Sequence, residues 1–252
     1  MSIFLILAFL FFIGSVLGWC IELIFRRFFS AANPERKWIN PGFLVGPYVP
    51  LYGFGLCILY LLADAEKFTL LGSTAANKAF LFVMMAICMT VIEYIAGIIL
   101  LKIVNVRLWD YRNEWGNING LICPKFSLFW ALLGAFYYFA IHAHILNALH
   151  WLSENLVFSF FIGLFYGIFI IDFSYSTNLA VKIQKFAKDN DIIVKYEQFK
   201  SDIRRFHEKN ALKTHFLLSM HSSRPLRENL LHYYNHAKEK QQLERIFNHK
   251  SK

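Results

Sequence analysis

Five long apolar runs constrain the fold of this chain more than any other feature of its sequence. Apolar residues make up 57% of the chain and charged residues only 17%, a balance that few soluble domains show. A helix needs about 20 residues to cross the hydrocarbon core of a bilayer, and each run has close to that length. The sequence therefore predicts an all-α fold, a polytopic membrane helix bundle of about five transmembrane helices. The predicted spans are residues 2–25, 44–62, 79–101, 126–145 and 156–179.

The loops between these spans differ in their content of basic residues. The first and third loops, with their flanks, hold Arg26, Arg27, Arg36, Lys37, Lys102, Arg107, Arg112 and Lys125. The second loop has only Lys67 and Lys78, and the fourth has neither Lys nor Arg. Because cytoplasmic loops of membrane proteins are enriched in Lys and Arg, this alternation predicts an outside N-terminus and a cytoplasmic C-terminus.

A basic segment, residues 179–252, follows the predicted bundle of residues 1–178. It carries sixteen Lys and Arg against eight Asp and Glu. Two apolar seams recur there at spacings of three and four: Ile192, Tyr196, Phe199, Ile203 and Phe206, then Leu226, Leu230, Tyr233 and Ala237. We predict a cytoplasmic helical tail, folded as a helical hairpin in preference to an intermolecular coiled coil. Its charge favours anionic lipid or a cytoplasmic protein, not nucleic acid, as the partner.

Three acidic residues, Glu22, Glu93 and Asp172, lie inside the apolar runs. A charged side chain at the centre of a membrane helix costs about 2.5–3.5 kcal/mol on insertion scales, so such a residue normally has a partner or a function. With the predicted orientation, all three carboxylates lie in the cytoplasmic half of the membrane. Their shared depth suggests one polar pocket that opens to the cytoplasm.

The second predicted span begins as a poor helix, and it begins at the level of the three acids. Proline lacks an N–H and glycine lowers helix propensity, so carbonyl groups there are left without helical partners. Broken helices at membrane depth line cavities or are buried in protein. The sequence predicts a hydrated acidic pocket suited to a cation, a cationic substrate or a proton relay, to which Tyr48 and Tyr52 contribute. The broken-helix segment comprises Gly46, Pro47, Pro50, Gly53 and Gly55.

Each acid also has a purely structural interpretation. Glu22 has Arg26 one helical turn later, which is suitable spacing for an ion pair. Asp172 has Ser176 one turn later, which suggests a polar network near the helix end. Glu93 has no basic residue three or four positions away, so its partner must come from another helix or from water. Structural hydrogen bonding without transport therefore remains open for all three.

Signatures of catalysis and of metal binding are missing from the sequence. It contains no Walker A motif, no Gly-rich nucleotide loop, no G-x-S-x-G and no H-E-x-x-H. His142, His144 and His150 do not share one helical face, so we expect no metal site there. We expect no cofactor and no enzymatic activity in this chain, so any ATP hydrolysis must come from another polypeptide.

Two blocks of residues resemble a known family. The first is Gly18-Trp19-x-x-Glu22 followed by Asn40-x-Gly42-Phe43-Leu44-x-Gly46-Pro47-x-x-Pro50-x-Tyr52-Gly53-x-Gly55. The second is Glu93-Tyr94, Trp109-Asp110-Tyr111, Asn117, Gly120-x-Ile122-Cys123 and Ser127-x-x-Trp130. Over roughly residues 5–175 the chain resembles the bacterial family labelled "putative type IV ABC-transporter permease", or CmpB-like. Residues 112–116 depart from the short turn that the family has after Trp-Asp-Tyr.

The resemblance implies a multi-pass protein of the bacterial inner membrane that acts as the membrane half of a transporter. We therefore interpret the chain as a permease or permease-like subunit with an inward-facing acidic pocket, closed in part by Trp109, Asp110, Tyr111 and Asn117 of the third loop. The alternative is a membrane scaffold or regulator that binds a cytoplasmic partner or lipid through its basic tail. A membrane enzyme is least favoured because no nucleophile or metal set accompanies the acids. Candidate partners are the lipid bilayer, a separate ATPase subunit and a second copy of the chain.

Overall fold

The fold is an all-α membrane helix bundle, as predicted, in a computed structural model that describes residues 2–30, 33, 35–67, 74–210, 212, 216–218, 220 and 222–250. Its helices are α1 (Ile3–Phe28), α2 (Pro50–Asp64), α3 (Thr74–Ile98), α4 (Pro124–Phe136), α5 (His142–Glu154), α6 (Ser159–Asp189), α7 (Tyr196–Lys209) and α8 (Leu226–Lys250). Turns of π-helix at Ile99–Ile103 and Tyr137–Ile141 extend α3 and join α4 to α5. Short 3-10 turns occupy Ala65–Lys67 and Leu156–Phe158, and two-residue strands β1 (Val106–Arg107) and β2 (Val194–Lys195) pair in parallel.

Four of the five predicted spans correspond to helical stretches of membrane length within the described residues. They are Ile3–Phe28, Ala75–Ile103, Pro124–Glu154 and Leu156–Asp189, each longer than predicted. The chain is therefore a multi-pass membrane protein.

The second predicted span differs from the other four. Its first residues, 44–49, are not helical, and α2 has only 15 residues. At 1.5 Å per residue α2 is about 22 Å long, shorter than a hydrocarbon core of about 30 Å. Proline explains the late start: Pro47 lies in the non-helical stretch, and Pro50 occupies the first position of α2, where a missing N–H costs nothing. The second predicted span is therefore a short apolar helix preceded by a non-helical stretch.

Glycines let α2 approach its neighbours closely. A Cβ on Gly18 of α1 would lie 2.2 Å from the Cβ of Tyr52, and Gly53 faces the backbone of α1. Gly55 faces α3, where a Cβ would lie 2.6 Å from the methyl group of Met89. Small residues at such positions allow helix backbones to pack tightly in a membrane. Gly53 and Gly55 were predicted to belong to the broken-helix segment. Both lie in the regular helix α2, and the non-helical stretch ends at residue 49.

The loops sort to two ends of the bundle. At one end, the Tyr196 hydroxyl donates to the Phe43 carbonyl, and Val106 of the third loop pairs with Val194 of the tail. At the other end, the Tyr138 hydroxyl donates to Glu66. We refer to the first as the tail-bearing end, formed by loops 29–49 and 104–123 together with α7. The grouping of loops one and three against loops two and four is the one that the basic residues predict.

The tail shares a hydrophobic core with the third loop and the end of α6. Helix α6 runs without interruption past residues 178 and 179, where we placed a domain boundary, and that division stays a prediction. Helices α7 and α8 pack against each other and against the C-terminal turns of α6. The buried members of this core are Val106, Ile183, Phe186, Ala187, Val194, Tyr196, Phe199, Ile203, Leu230 and Tyr233.

Candidate functional site

Glu22 lies near the C-terminal end of α1 and has two partners. The Arg26 Nε lies 2.9 Å from Glu22 Oε1, the pairing that residues four positions apart on a helix favour. The Tyr52 hydroxyl of α2 donates to Glu22 Oε2 at 3.0 Å. The close packing of α1 on α2 places this hydroxyl there.

Arg26 also connects the bundle to the tail, a link that the sequence analysis missed. Its Nη1 lies 2.8 Å from Oε1 of Glu197 on α7. The same oxygen lies 3.7 Å from Nζ of Lys200, whose side chain is almost fully buried. The Lys200 ammonium donates to the carbonyls of Asn40 and Gly42, at 3.0 and 2.7 Å. The only indication in the sequence that Lys200 contacts the first loop was its position, one helical turn after the seam residue Tyr196.

Burial has a measurable consequence for Lys200, which lies outside the spans. Removal from water lowers the pKa of the Lys200 amine to about 8, and the positive charge of Arg26 acts in the same direction. The carboxylate of Glu197 opposes both effects. Lys200 therefore changes protonation in a pH range where a solvated lysine does not.

Glu93 is buried on α3, with only 3% of its surface exposed. The Tyr111 hydroxyl lies 3.1 Å from Glu93 Oε1, and the Trp130 indole Nε1 lies 2.9 Å from Oε2. Tyr111 comes from the third loop and stacks on Phe126 of α4, with ring centroids 4.2 Å apart. Burial, followed by the negative charge of Glu93, raises the pKa of Tyr111, so its hydroxyl keeps its proton and donates. Within the described residues, both donors to this carboxylate are neutral.

Glu22 and Glu93 belong to one polar network. The rings of Tyr52 and Trp130 are 5.3 Å apart, so the donor to one acid contacts the donor to the other. We define the polar network as Glu22, Tyr52, Trp130, Glu93 and Tyr111. With the ion pairs at its tail-bearing side, it brings together three carboxylates and two basic groups among the residues that the structure describes.

Asp172 has a different set of partners. Its carboxylate accepts hydrogen bonds from the main-chain amides of Val45 and Gly46, at 3.1 and 2.7 Å. The hydroxyls of Tyr48 and Ser176 also donate to it, at 2.5 and 2.9 Å. Asp172 therefore holds the non-helical stretch 44–49 against α6, and its four hydrogen bonds do not involve the polar network.

The third loop is a folded structure in its own right. The Trp109 indole donates to the Leu121 carbonyl at 2.8 Å, and Asn117 Oδ1 accepts from the Gly120 amide at 3.0 Å. Gly120 adopts a φ of 67°, a left-handed conformation that glycine adopts without strain. These contacts shape the loop so that Tyr111 reaches Glu93. Within residues 112–116, the Glu114 amide donates to the Tyr111 carbonyl at 2.9 Å.

Asp110 ties the third loop to the tail. Its Oδ2 lies 2.7 Å from Arg112 Nη2 and 3.3 Å from Nζ of Lys195 in β2. Burial raises the pKa of the Asp110 carboxyl, but hydrogen bonds from Arg112 outweigh this effect and hold that pKa below its ordinary value. Asp110 therefore stays ionised and stabilises the contact between loop and tail.

Two histidines of α5, His142 and His150, have separate protein partners. His142 Nδ1 lies 2.8 Å from the Tyr137 hydroxyl, and His150 Nε2 lies 3.4 Å from Glu154 Oε1. Among the described residues, no group of three His, Cys, Asp or Glu side chains could hold a metal ion.

Comparison with known proteins identifies the family. The family model described as "Putative ABC-transporter type IV" matches residues 9–177, more than half of the chain. The chain belongs to this family. The matched region includes Glu22, Glu93 and Asp172, whereas α7 and α8 lie outside it. No curated protein and no solved structure matches the chain.

Proposed function

We propose that this chain is the permease-like membrane subunit of an ABC-type transport system in the bacterial inner membrane. Its membership of the family and its membrane-length helices support this proposal. The tail-bearing end faces the cytoplasm, because the loops rich in Lys and Arg lie there. The chain itself catalyses no reaction, and a separate ATPase subunit supplies the energy, since no Walker A motif occurs in the sequence.

The observation that carries the transport role is that Glu93, among the residues that the structure describes, accepts hydrogen bonds from neutral donors only. A carboxylate buried at membrane depth with only neutral donors is costly unless a proton or another cation accompanies it. Such a group is suited to gain and lose a cation as a transporter changes conformation. The polar network is the inward-facing acidic site in this proposal, and Asp172 shapes the wall beside it.

The scaffold alternative has its own supporting observation. Glu22 and Asp172 have partners that a purely structural role would also provide, including the two main-chain amides on Asp172. Ion pairs and buried contacts hold the tail against the bundle, as expected for a regulator that presents α7 and α8 to a cytoplasmic protein.

Co-purification tests the proposal directly. The full chain is isolated from native membranes in mild detergent, after cross-linking, and its partners are identified by mass spectrometry. We expect a polypeptide with a Walker A motif in near-stoichiometric amount, and ATP hydrolysis by the purified complex. If no such polypeptide co-purifies with the chain, with or without cross-linking, the result would contradict the transporter proposal and favour the scaffold.

A further inference from the structure

A patch of exposed aromatic side chains surrounds the C-terminal end of α1. Phe28 and Phe29 are 55% and 71% exposed, and Trp38, from the first loop, is 45% exposed. The ring centroids of Phe28 and Trp38 are 6.2 Å apart, so the two side chains form one surface. Because α1 is long and apolar enough to cross a membrane, a crossing α1 would end here and bring this surface to the level where the hydrocarbon core meets the headgroups. Aromatic side chains are enriched at that level.

Two arginines lie within the same patch. The guanidinium of Arg27 lies 4.5 Å from the centroid of the Trp38 ring, and its Nη1 donates to the Arg36 carbonyl at 2.6 Å. Arg36 Nη1 lies 3.5 Å from the carbonyl of Ser30, which follows α1. The Arg27 guanidinium therefore lies against the exposed Trp38 ring, and the Arg36 guanidinium lies beside the end of the helix.

These arginines differ from their basic neighbours in having no carboxylate partner among the described residues. Most other basic side chains of the bundle at this end form ion pairs with Asp or Glu. The paired residues are Arg26, Lys37, Arg107, Arg112 and Lys125. A helix C-terminus favours nearby cations, which explains part of the preference for Arg27. It does not explain why three aromatic side chains stay exposed beside two arginines.

We infer that Arg27, Arg36 and Trp38 bind the phosphate of an anionic phospholipid, with Phe28 and Phe29 in the interfacial region of the same leaflet. Guanidinium groups form paired, charge-assisted hydrogen bonds with phosphate oxygens, and they stack on aromatic rings while they do so. Anionic headgroups attract basic residues near the membrane surface. This inference goes beyond the proposed transport function and depends only on α1 crossing the bilayer.

Fluorescence quenching in nanodiscs tests the location of the patch. The full chain is placed in phosphatidylcholine nanodiscs with a minor fraction of phosphatidylglycerol, and one lipid at a time carries bromine. The signal lost in Trp38→Phe isolates the contribution of Trp38, and Trp115→Phe provides the control, since Trp115 is 86% exposed in the third loop. Per molecule of brominated lipid, we expect phosphatidylglycerol to quench Trp38 about twofold or more above phosphatidylcholine. Absence of quenching by either lipid would overturn the inference and favour a protein on this patch.

Native mass spectrometry tests the role of the arginines. We expect detergent-purified chain to retain phosphatidylglycerol, and the Arg27→Gln/Arg36→Gln variant to lose most of it while it keeps its elution volume in size-exclusion chromatography. The matched control is Lys182→Gln/Lys185→Gln, which removes the same charge from exposed positions on α6 and should retain the lipid. Equal loss in both variants would show diffuse attraction and overturn the specific site. Loss of the lipid to competing inorganic phosphate would overturn the lipid as the ligand.

Discussion

The three acidic residues within the predicted spans differ in how their carboxylates are satisfied. Glu22 has the guanidinium of Arg26, and Asp172 has four hydrogen-bond donors, two of them main-chain amides. Glu93 has one hydroxyl and one indole. Removal of the charge therefore has the smallest structural effect at Glu93, where it is also most informative about function.

We predict that Glu93→Gln folds normally and abolishes transport-coupled activity. The amide oxygen can accept from the Trp130 indole, which only donates, and the amide nitrogen can donate to the Tyr111 hydroxyl, which can rotate to accept. Both hydrogen bonds are kept, so the free energy of unfolding should change by less than about 1 kcal/mol. Stimulation of the ATPase partner by the reconstituted complex is the functional readout. A folded variant with full activity would remove Glu93 from the mechanism.

The pH dependence of stability should report the burial of Lys200. Its pKa falls from 10.5 to about 8 in the folded protein, so between these values the unfolded chain holds a proton that the folded chain has released. Stability therefore rises with pH across this window, by an amount on the order of 3 kcal/mol, and does not change below it. The charged groups that face Lys200 are Glu197 and Arg26, and its ammonium lies 4.6 Å from the Tyr196 ring.

Comparison of the wild type with Lys200→Met isolates this effect. The Met side chain keeps the apolar stem and cannot titrate, so the difference between the two unfolding curves cancels the other ionisable groups. We expect the Tm of the wild type to rise relative to that of Lys200→Met between about pH 8 and 10.5. A difference that is constant over that range would contradict a lowered pKa for Lys200.

At the scale of elements, close contacts with its neighbours hold the short helix α2 in position. It is preceded by a non-helical stretch that Asp172 holds through the amides of Val45 and Gly46, and it packs on α1 at Gly18. These contacts set the position of Tyr52, and through it the geometry around Glu22.

We predict that Gly18→Ala destabilises the protein, whereas Gly163→Ala does not. A Cβ on Gly18 would lie 2.2 Å from Tyr52, so α2 must move, at a cost of about 1–3 kcal/mol that is typical of overpacking. A Cβ on Gly163 of α6 meets no atom within 4 Å. Thermal unfolding of the two variants in the same detergent is the measurement. Equal stability would show that α1 and α2 are not packed as closely as described.

At the scale of the whole molecule, the basic residues of the loops at each end of the bundle set its orientation in the membrane. The first and third loops meet the tail at one end, held by contacts such as Lys37 with Glu208 and Asp110 with Lys195. Because both basic loops and the tail lie at the same end, all three face the same side of the membrane, and the content of Lys and Arg favours the cytoplasmic side.

We predict that the tail-bearing end is cytoplasmic. Single cysteines at Arg36 and Lys209, in a background without the four native cysteines, should react with a membrane-impermeant maleimide only after the cells are permeabilised. Cysteines at Ala75 and His150, exposed positions toward the other end, should react in intact cells. Labelling of position 209 from the outer face would overturn the orientation and the proposed cytoplasmic access to the polar network.

Local patterns in the sequence were sufficient for part of this description. The apolar runs, the alternation of basic loops and the positions of the acids follow from the order of residues, because bilayer thickness and loop charge act on each segment separately. The pairing of Glu22 with Arg26 follows from helical geometry, since the two are one turn apart. The seams of the tail likewise indicated its helices.

Tertiary structure decided which of these residues meet. Glu93 binds Tyr111 and Trp130, and Arg26 binds Glu197, although each pair is separated by many residues of the chain. The separation of Asp172 from the polar network also depends on where the non-helical stretch 44–49 turns before α2. Hydrophobic periodicity identifies which segments are helical, but it carries no information about which helix faces which. That choice depends on the fit of glycines against large side chains and on hydrogen bonds between distant segments, which only the folded chain brings together.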